Sequence, residues 1–210
     1  MRSLFATLVL CLSVCLGTPA FASEKGNTIP RSTAMLVSAG ASIPFGWLDF
    51  CARYDIRHEK ACKMSGPIEI VHLTPQRWLQ IVLANWWVNT NIIPTGDDEH
   101  WGVADQWDYP LDGKGDCEDY ALMKRRMLVD AGFPPSALLM TVVKDGKGEG
   151  HALLTLVTDM GDYVLDNQRA DVVPWDWSGY VFIKRQSPQD PNVWEAIAHR
   201  ADPISVFLNK

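Results

Sequence analysis

Residues 115–120 read Gly-Asp-Cys-Glu-Asp-Tyr and place a cysteine where several signals predict the start of a helix. Apolar side chains follow Cys117 at three- and four-residue steps, the period of a helix, and Gly132 with the two prolines after it predicts the helix end. Unpaired N–H groups and the positive end of the helix dipole stabilise an anion at this position, so the thiol is expected to ionise readily. The sequence therefore predicts that Cys117 is a nucleophile.

Two later residues have the chemistry to assist this cysteine. A cysteine nucleophile needs a base, and the base needs a group that orients it. His151 begins a predicted strand after a glycine-rich turn, and Asp166 ends the next predicted strand, so a hairpin would bring them together. Taken singly, each is more often a structural residue. In combination with Cys117 they predict a catalytic triad, with the backbone N–H of Cys117 as an oxyanion donor.

The remaining pattern predicts which elements position these residues. Helical periodicity favours a helix over residues 75–90, where Trp78, Trp86 and Trp87 are expected to fill the core. Segment 91–115 is predicted to be a long loop. Antiparallel strands are predicted next, followed by a short helix; the strands cover 137–144, 151–158, 163–166 and 180–184, and the helix lies near 193–199. Helices first and sheet second predict an α+β domain.

The first 22 residues have the pattern of a signal peptide. Arg2 precedes an apolar stretch, and residues 20–22 read Ala-Phe-Ala, a small-x-small cleavage site. The apolar run is too short to span a membrane. We therefore expect an exported protein that is not membrane-inserted, is periplasmic in a host with two membranes, and consists of one domain over residues 23–210. A net charge of −6 without a basic cluster argues against nucleic acid as a partner.

Three cysteines remain after the predicted cleavage. Cys51 and Cys62 are natural partners across a short loop, and such a disulfide would stabilise the fold by roughly 2–3 kcal/mol. Cys117 is then left unpaired. An odd thiol in an exported protein is either a buried small residue or a reactive group.

Residues 115–124, with His151 and Asp166, resemble the bacterial transglutaminase-like cysteine proteinases of the LapG type. The resemblance continues through Trp47 with Cys51, the 101–107 loop and residues 165–168. It implies a papain- or transglutaminase-like core, in which N-terminal helices, with the catalytic cysteine at a helix start, pack on an antiparallel sheet. It also implies a periplasmic protease that cuts a large surface adhesin near its N-terminus and so promotes biofilm dispersal. An inner-membrane receptor for cyclic di-GMP would sequester it.

The resemblance also implies a role for individual residues. Cys117 would be the nucleophile, His151 the general base and acid, and Asp166 the group that orients the histidine. Calcium would be held by Asp116 and Glu118, since calcium prefers carboxylate and carbonyl oxygens.

Two carboxylates cannot complete a calcium site. Asp98 and Asp105 in the long loop are weaker candidates for further ligands. The alternative is that Asp116 and Glu118 only complement the helix dipole.

Two other functions fit the same pattern. A transferase would resolve the acyl-enzyme with an amine instead of water, using the same triad. A binding module could keep the fold and have lost activity, because a fold alone does not establish catalysis.

Overall fold

The computed structural model describes residues 28–54, 60–63 and 67–198. The predicted signal peptide, residues 1–22, lies outside the described residues. Within the described part of the chain, no helix is both long enough and apolar enough to cross a membrane.

Four α-helices and nine strands make up the described fold. The helices are α1 (Phe45–Arg53), α2 (Pro75–Asn91), α3 (Asp97–His100) and α4 (Cys117–Asp130). The strands are β1 (Val37–Ala41), β2 (Ile93–Pro94), β3 (Lys114–Gly115), β4 (Leu138–Lys144), β5 (Gly150–Thr158), β6 (Gly161–Leu165), β7 (Val173–Pro174), β8 (Val181–Gln186) and β9 (Trp194–Ile197). Helices come first and most strands follow, so the α+β prediction is confirmed.

Seven strands form one antiparallel sheet in the order β1-β9-β8-β4-β5-β6-β7. Helix α4 packs on β5 and β4 and also contacts α2. The main core lies between helices and sheet, where the indole of Trp47, the ring of Tyr163 and the side chain of Leu154 are fully buried. This packing fixes the start of α4 against the strand that carries His151.

Local sequence explains where α4 begins and ends. The Asp116 side chain accepts from the third backbone N–H of the helix, while Asp119 accepts from the N–H of Asp116, so the two form a capping box. Gly115 precedes them with no room for a side chain, because a Cβ there would lie 2.6 Å from Oδ2 of Asp119. At the other end Gly132 has φ +85°, the left-handed conformation that glycine adopts most easily.

The disulfide between Cys51 and Cys62 is present, as predicted, and Cys117 is the free cysteine of the described residues. The bond links α1 to the short 3₁₀ turn Lys60–Cys62. Within the core it lies with Trp47 and Phe50.

Two predictions from helical periodicity are wrong. Residues 194–197 form β9 and not a helix, because Trp194 pairs with Gln186 of β8 and Ala41 of β1. On α2 the indoles of Trp86 and Trp87 are 57% and 41% exposed, so they do not fill the core as expected.

Candidate active site

Cys117 is the first residue of α4, as predicted, with its sulfur turned towards β5. Its Sγ accepts a hydrogen bond from the N–H of Ala152 at 3.3 Å and donates one to Oε2 of Glu118 at 3.0 Å. Burial raises the pKa of this thiol well above its usual range, and the negative charge of Glu118 raises it further. The direction of this pKa shift is therefore opposite to the one expected from the helix start, because burial and a neighbouring carboxylate outweigh the helix dipole.

His151 and Asp166 are in direct contact. Nε2 of His151 lies 2.7 Å from Oδ1 of Asp166, and both side chains are almost fully buried. This contact leaves Nδ1 as the second ring nitrogen, at a long 3.4 Å from the amide nitrogen of Gln168. A proton on Nε2 is held by the carboxylate in this arrangement, and Nδ1 is then the basic atom.

Asp166 receives further hydrogen bonds. Its Oδ2 accepts from the hydroxyl of Tyr180 at 2.5 Å, and its Oδ1 accepts from the N–H of Gln168 at 3.1 Å. Burial alone would raise the pKa of Asp166, but the hydrogen bond and charge of His151, with these further donors, outweigh burial and lower it. The carboxylate is thus held ionised beside the imidazole.

Cys117 and His151 line one cleft of about 240 Å³. The other walls are formed by the residue before α1, by segment 105–107 and by the sheet. The further lining residues are Pro44, Asp105, Trp107, Glu118, Val142, Gly150, Ala152 and Lys184. A nucleophile and a histidine held by a carboxylate therefore face one open space, which is the arrangement that acyl transfer needs.

A cluster of carboxylates surrounds the same helix start. A short parallel pairing of β2 with β3 brings segment 93–97 against it, since the N–H of Thr95 donates to the carbonyl of Gly115 at 2.9 Å. Asp97 thereby approaches the residues of α4. We call the five residues that gather here the acidic cluster: Asp97, Asp105, Asp116, Glu118 and Asp119.

The acidic cluster has the geometry of a cation site. In the set of Asp97, Asp105 and Glu118, one oxygen from each carboxylate lies within 4.8 Å of the other two, and the same holds for Asp97 with Asp116 and Asp119. Buried Oδ1 atoms of Asp97 and Asp116 have no hydrogen-bond partner among the described residues. Several hard oxygens with unused lone pairs are the donor set that calcium takes.

The pKa values of the carboxylates in the acidic cluster also favour a cation site. Burial, and then the charge of Asp116, raises the pKa of Glu118 to about 9. Burial also raises the pKa of Asp119 to about 8, although the N–H of Asp108 donates to it. The carboxylates of the acidic cluster repel one another, so a bound cation would favour their ionised form.

The predicted site residues mostly meet. Cys117, His151, Asp116, Glu118 and Asp105 all lie at or beside the start of α4. Asp98 does not: it is exposed on α3 and belongs to none of the carboxylate sets found in the described residues.

Sequence reasoning missed Asp97, Asp119 and Tyr180. Asp97 occupies the place expected for Asp98, because only the β2–β3 pairing decides which acid at the start of α3 faces α4. The capping-box spacing from Asp116 could have signalled Asp119. No local signal marks Tyr180, which reaches Asp166 from the loop before β8.

Comparison with protein families gives one match. A family model described as bacterial transglutaminase-like cysteine proteinase (BTLCP) matches residues 37–202, most of the chain. No curated protein sequence matches the chain.

Comparison with solved structures gives several matches. Calcium-bound LapG of Legionella pneumophila is 21% identical in sequence, with a TM-score of 0.51, over 62% of this chain and 74% of that one. LapG from the same organism, and its EGTA-treated form, are 21% and 20% identical with TM-scores of 0.49; each match covers 65% of this chain, and 75% and 76% of those chains. The first likeness confirms the transglutaminase-like α+β fold expected from the sequence.

Proposed function

Because the chain belongs to the bacterial transglutaminase-like cysteine proteinases, we propose that it is a calcium-dependent endopeptidase with the triad Cys117, His151 and Asp166. The observation that carries the proposal is the shared cleft, which is lined both by a cysteine at a helix start and by a histidine held by a buried carboxylate. The substrate we propose is the N-terminal region of a large surface adhesin. Its release would promote biofilm dispersal.

In this mechanism Nδ1 of His151 takes the proton of the Cys117 thiol, and Sγ attacks the scissile carbonyl carbon. Backbone N–H groups at the start of α4 stabilise the oxyanion. His151 then gives the proton to the leaving amine, and the acyl group remains on sulfur as a thioester. Water, deprotonated by the same imidazole, hydrolyses the thioester and restores the thiol. Asp166 stabilises the imidazolium at both stages.

Calcium would be held by the acidic cluster. When bound, the ion supplies the positive charge that lets these carboxylates stay ionised together. The chain's own residues support this, since two buried carboxylate oxygens lack partners among the described residues. Glu118 is both a member of the acidic cluster and the partner of the Cys117 thiol. The metal site and the nucleophile therefore share a residue.

The location and the regulator complete the proposal. The signal-peptide pattern of residues 1–22 supports export to the periplasm. There, an inner-membrane receptor for cyclic di-GMP would sequester the protease. Measuring whether such a receptor's periplasmic domain binds the purified protein and blocks cleavage would test this partner.

The test of the activity is cleavage of an adhesin N-terminal segment by the purified protein, with calcium or with EGTA. We expect one cut, found by N-terminal sequencing of the fragments, in calcium only and absent in Cys117→Ala. Cutting in EGTA at the same rate would contradict the calcium requirement. Cutting by Cys117→Ala would contradict the triad. An amine-coupled product, formed in place of hydrolysis when a primary amine is added, would favour the transferase.

A further inference from the structure

Two asparagines of α2 hold the loop between β6 and β7, which carries Asp166. They are Asn85 and Asn89, four residues apart and therefore on one face of the helix. Nδ2 of Asn89 donates to the carbonyl oxygens of Asp166 and Arg169, each at 2.9 Å. Nδ2 of Asn85 donates to the carbonyl oxygen of Ala170 at 3.0 Å. Side chains of α2 thus pair with three carbonyl groups of this loop.

Asp166 lies just beyond the part of β6 that the sheet fixes. The pairing of β6 with β5 ends where Leu165 meets Leu154, and its pairing with β7 ends at Val164. The carbonyl oxygen of Asp166 accepts from the amide of Asn89 and not from a neighbouring strand. A helical side chain therefore continues the backbone pairing at the residue that orients the histidine.

The two asparagines are costly for the helix that carries them. Asn85 is 0% exposed, on the face of α2 where Ile81, Ala84 and Val88 are also buried. The buried Oδ1 atoms of Asn85 and Asn89 find no partner among the described residues. An unpaired buried oxygen costs stability, and asparagine is a weaker helix former than leucine. Core packing alone would favour an apolar side chain at either position.

We propose that Asn89 is a positioning residue for the triad, because its amide fixes the backbone at Asp166 and so directs the carboxylate at His151. The contact that it maintains is the 2.7 Å between Oδ1 of Asp166 and Nε2 of His151. Asn85 supports it by holding the same loop farther along the chain. The inference rests on the proposed function, because it assumes that Asp166 serves catalysis. Helix α4 then supplies the nucleophile, and α2 fixes the orienting carboxylate.

The test compares hydrolysis of p-nitrophenyl acetate in calcium by the purified wild type and by Asn89→Leu. Leucine has the branched shape of asparagine but no hydrogen-bond donor. We expect kcat to fall about tenfold with KM within about twofold, since Asn89 is not among the residues that line the cleft. Wild-type kcat in folded Asn89→Leu would overturn the inference. Asn89→Ala, which leaves room for water at the two carbonyl oxygens, gives the same test if Asn89→Leu does not fold.

Two other asparagines of α2 provide graded controls. Asn85→Leu releases a carbonyl four residues beyond Asp166, so kcat should fall less than in Asn89→Leu. Asn91→Leu is the matched control, because Asn91 is exposed and its amide donates within the helix itself; its kcat should equal that of the wild type. A larger loss of kcat in Asn85→Leu than in Asn89→Leu would overturn the inference.

A double-mutant cycle separates positioning from a general loss of structure. If Asn89 acts through the Asp166 carboxylate, adding Asn89→Leu to Asp166→Asn should lower kcat by less than about twofold. A further fall of about tenfold in the double variant would overturn the role, since Asn89 would then act on the fold and not through Asp166.

Cys117→Ala, measured alongside, distinguishes the two proposals. If Cys117→Ala hydrolysed the ester at the wild-type rate, the proposed function would fail. Wild-type kcat in Asn89→Leu, together with inactive Cys117→Ala, would overturn the positioning role alone.

Discussion

Asp166 is buried among hydrogen-bond donors, whereas the carboxylates of the acidic cluster, of which Asp97, Glu118 and Asp119 are buried, lie close to one another. Three donors reach Asp166, from His151, Tyr180 and the backbone of Gln168, and its pKa is lowered. In the acidic cluster the pKa of Glu118 is instead raised to about 9. His151, the partner of Asp166, lines the same cleft as Asp105 and Glu118 of the acidic cluster. The protein's own hydrogen-bond donors stabilise the Asp166 carboxylate, whereas the carboxylates of the acidic cluster would be stabilised by a cation from solution.

The largest effect on activity is expected from a substitution at Asp166. Asp166→Asn removes the charge that stabilises the His151 imidazolium and disturbs its preferred tautomer, so kcat should fall on the order of 10²–10⁴-fold. Hydrolysis of p-nitrophenyl acetate in calcium measures it. Asp171→Asn, an exposed change in the same loop, is the control and should keep wild-type kcat. Activity retained by Asp166→Asn would show that the contact with His151 is structural.

A smaller effect, on calcium affinity, is expected from a substitution in the acidic cluster. Asp97→Asn removes one buried anionic ligand and should weaken calcium binding about tenfold or more, measured by isothermal titration calorimetry. The neighbouring Asp98→Asn changes the same charge at an exposed position and should bind calcium as the wild type does. Equal affinities in the two variants would place the metal elsewhere.

The two regions should also differ in how stability depends on pH. Glu118 and Asp119 have ordinary pKa values near 4.5 and 3.8, but about 9 and 8 in the folded protein without metal. At pH values between the ordinary and the folded-state pKa of each group, the folded state binds more protons than the unfolded chain. The free energy of unfolding therefore falls as pH rises. We expect the melting temperature in EGTA to drop by roughly 5 °C from about pH 5 to about pH 9.

Calcium is the control for this dependence. Saturating calcium holds the carboxylates of the acidic cluster ionised, so the melting temperature should then vary less over the same pH range. Parallel curves in EGTA and in calcium would contradict the assignment of the cation to the acidic cluster.

The smallest effect concerns one donor to Asp166. Tyr180→Phe leaves Oδ2 of Asp166 without the hydroxyl that it accepts from, so kcat should fall roughly two- to fivefold. Tyr163→Phe is the matched control, since that hydroxyl donates to the carbonyl of Pro30, away from the triad. It should cost stability without changing kcat. Equal kcat in both variants would mean that Tyr180 does not support the carboxylate.

The features of the fold that were predicted correctly are those that short stretches of sequence encode. The start of α4 follows from its caps, and the hairpin that joins His151 to Asp166 follows from two strands and the turn between them. Asp97 could not be chosen over Asp98, because the choice depends on the pairing of β2 with β3 across residues 95–113. Trp194 and Ile197, three residues apart, fit a helical step equally well. Only the neighbouring strands β1 and β8 made the segment a strand.

The exposed tryptophans on α2 also show that burial depends on contacts with distant parts of the chain. A helical apolar pattern predicts an amphipathic helix but does not say which of its apolar residues the rest of the chain will cover. In the fold, Trp78 packs edge-on against Tyr163 of β6, and Ile81 is fully buried. Trp86 and Trp87 lie towards the end of the helix and remain partly in solvent.

The central claim is that Cys117 carries the acyl group during turnover. Peptide-mapping mass spectrometry of the protein, quenched in acid while it hydrolyses p-nitrophenyl acetate in calcium, tests this directly. We predict an acetyl group on Cys117 of the wild type. Ester hydrolysis with the acetyl group on another residue, or with Cys117 unmodified throughout, would contradict the account.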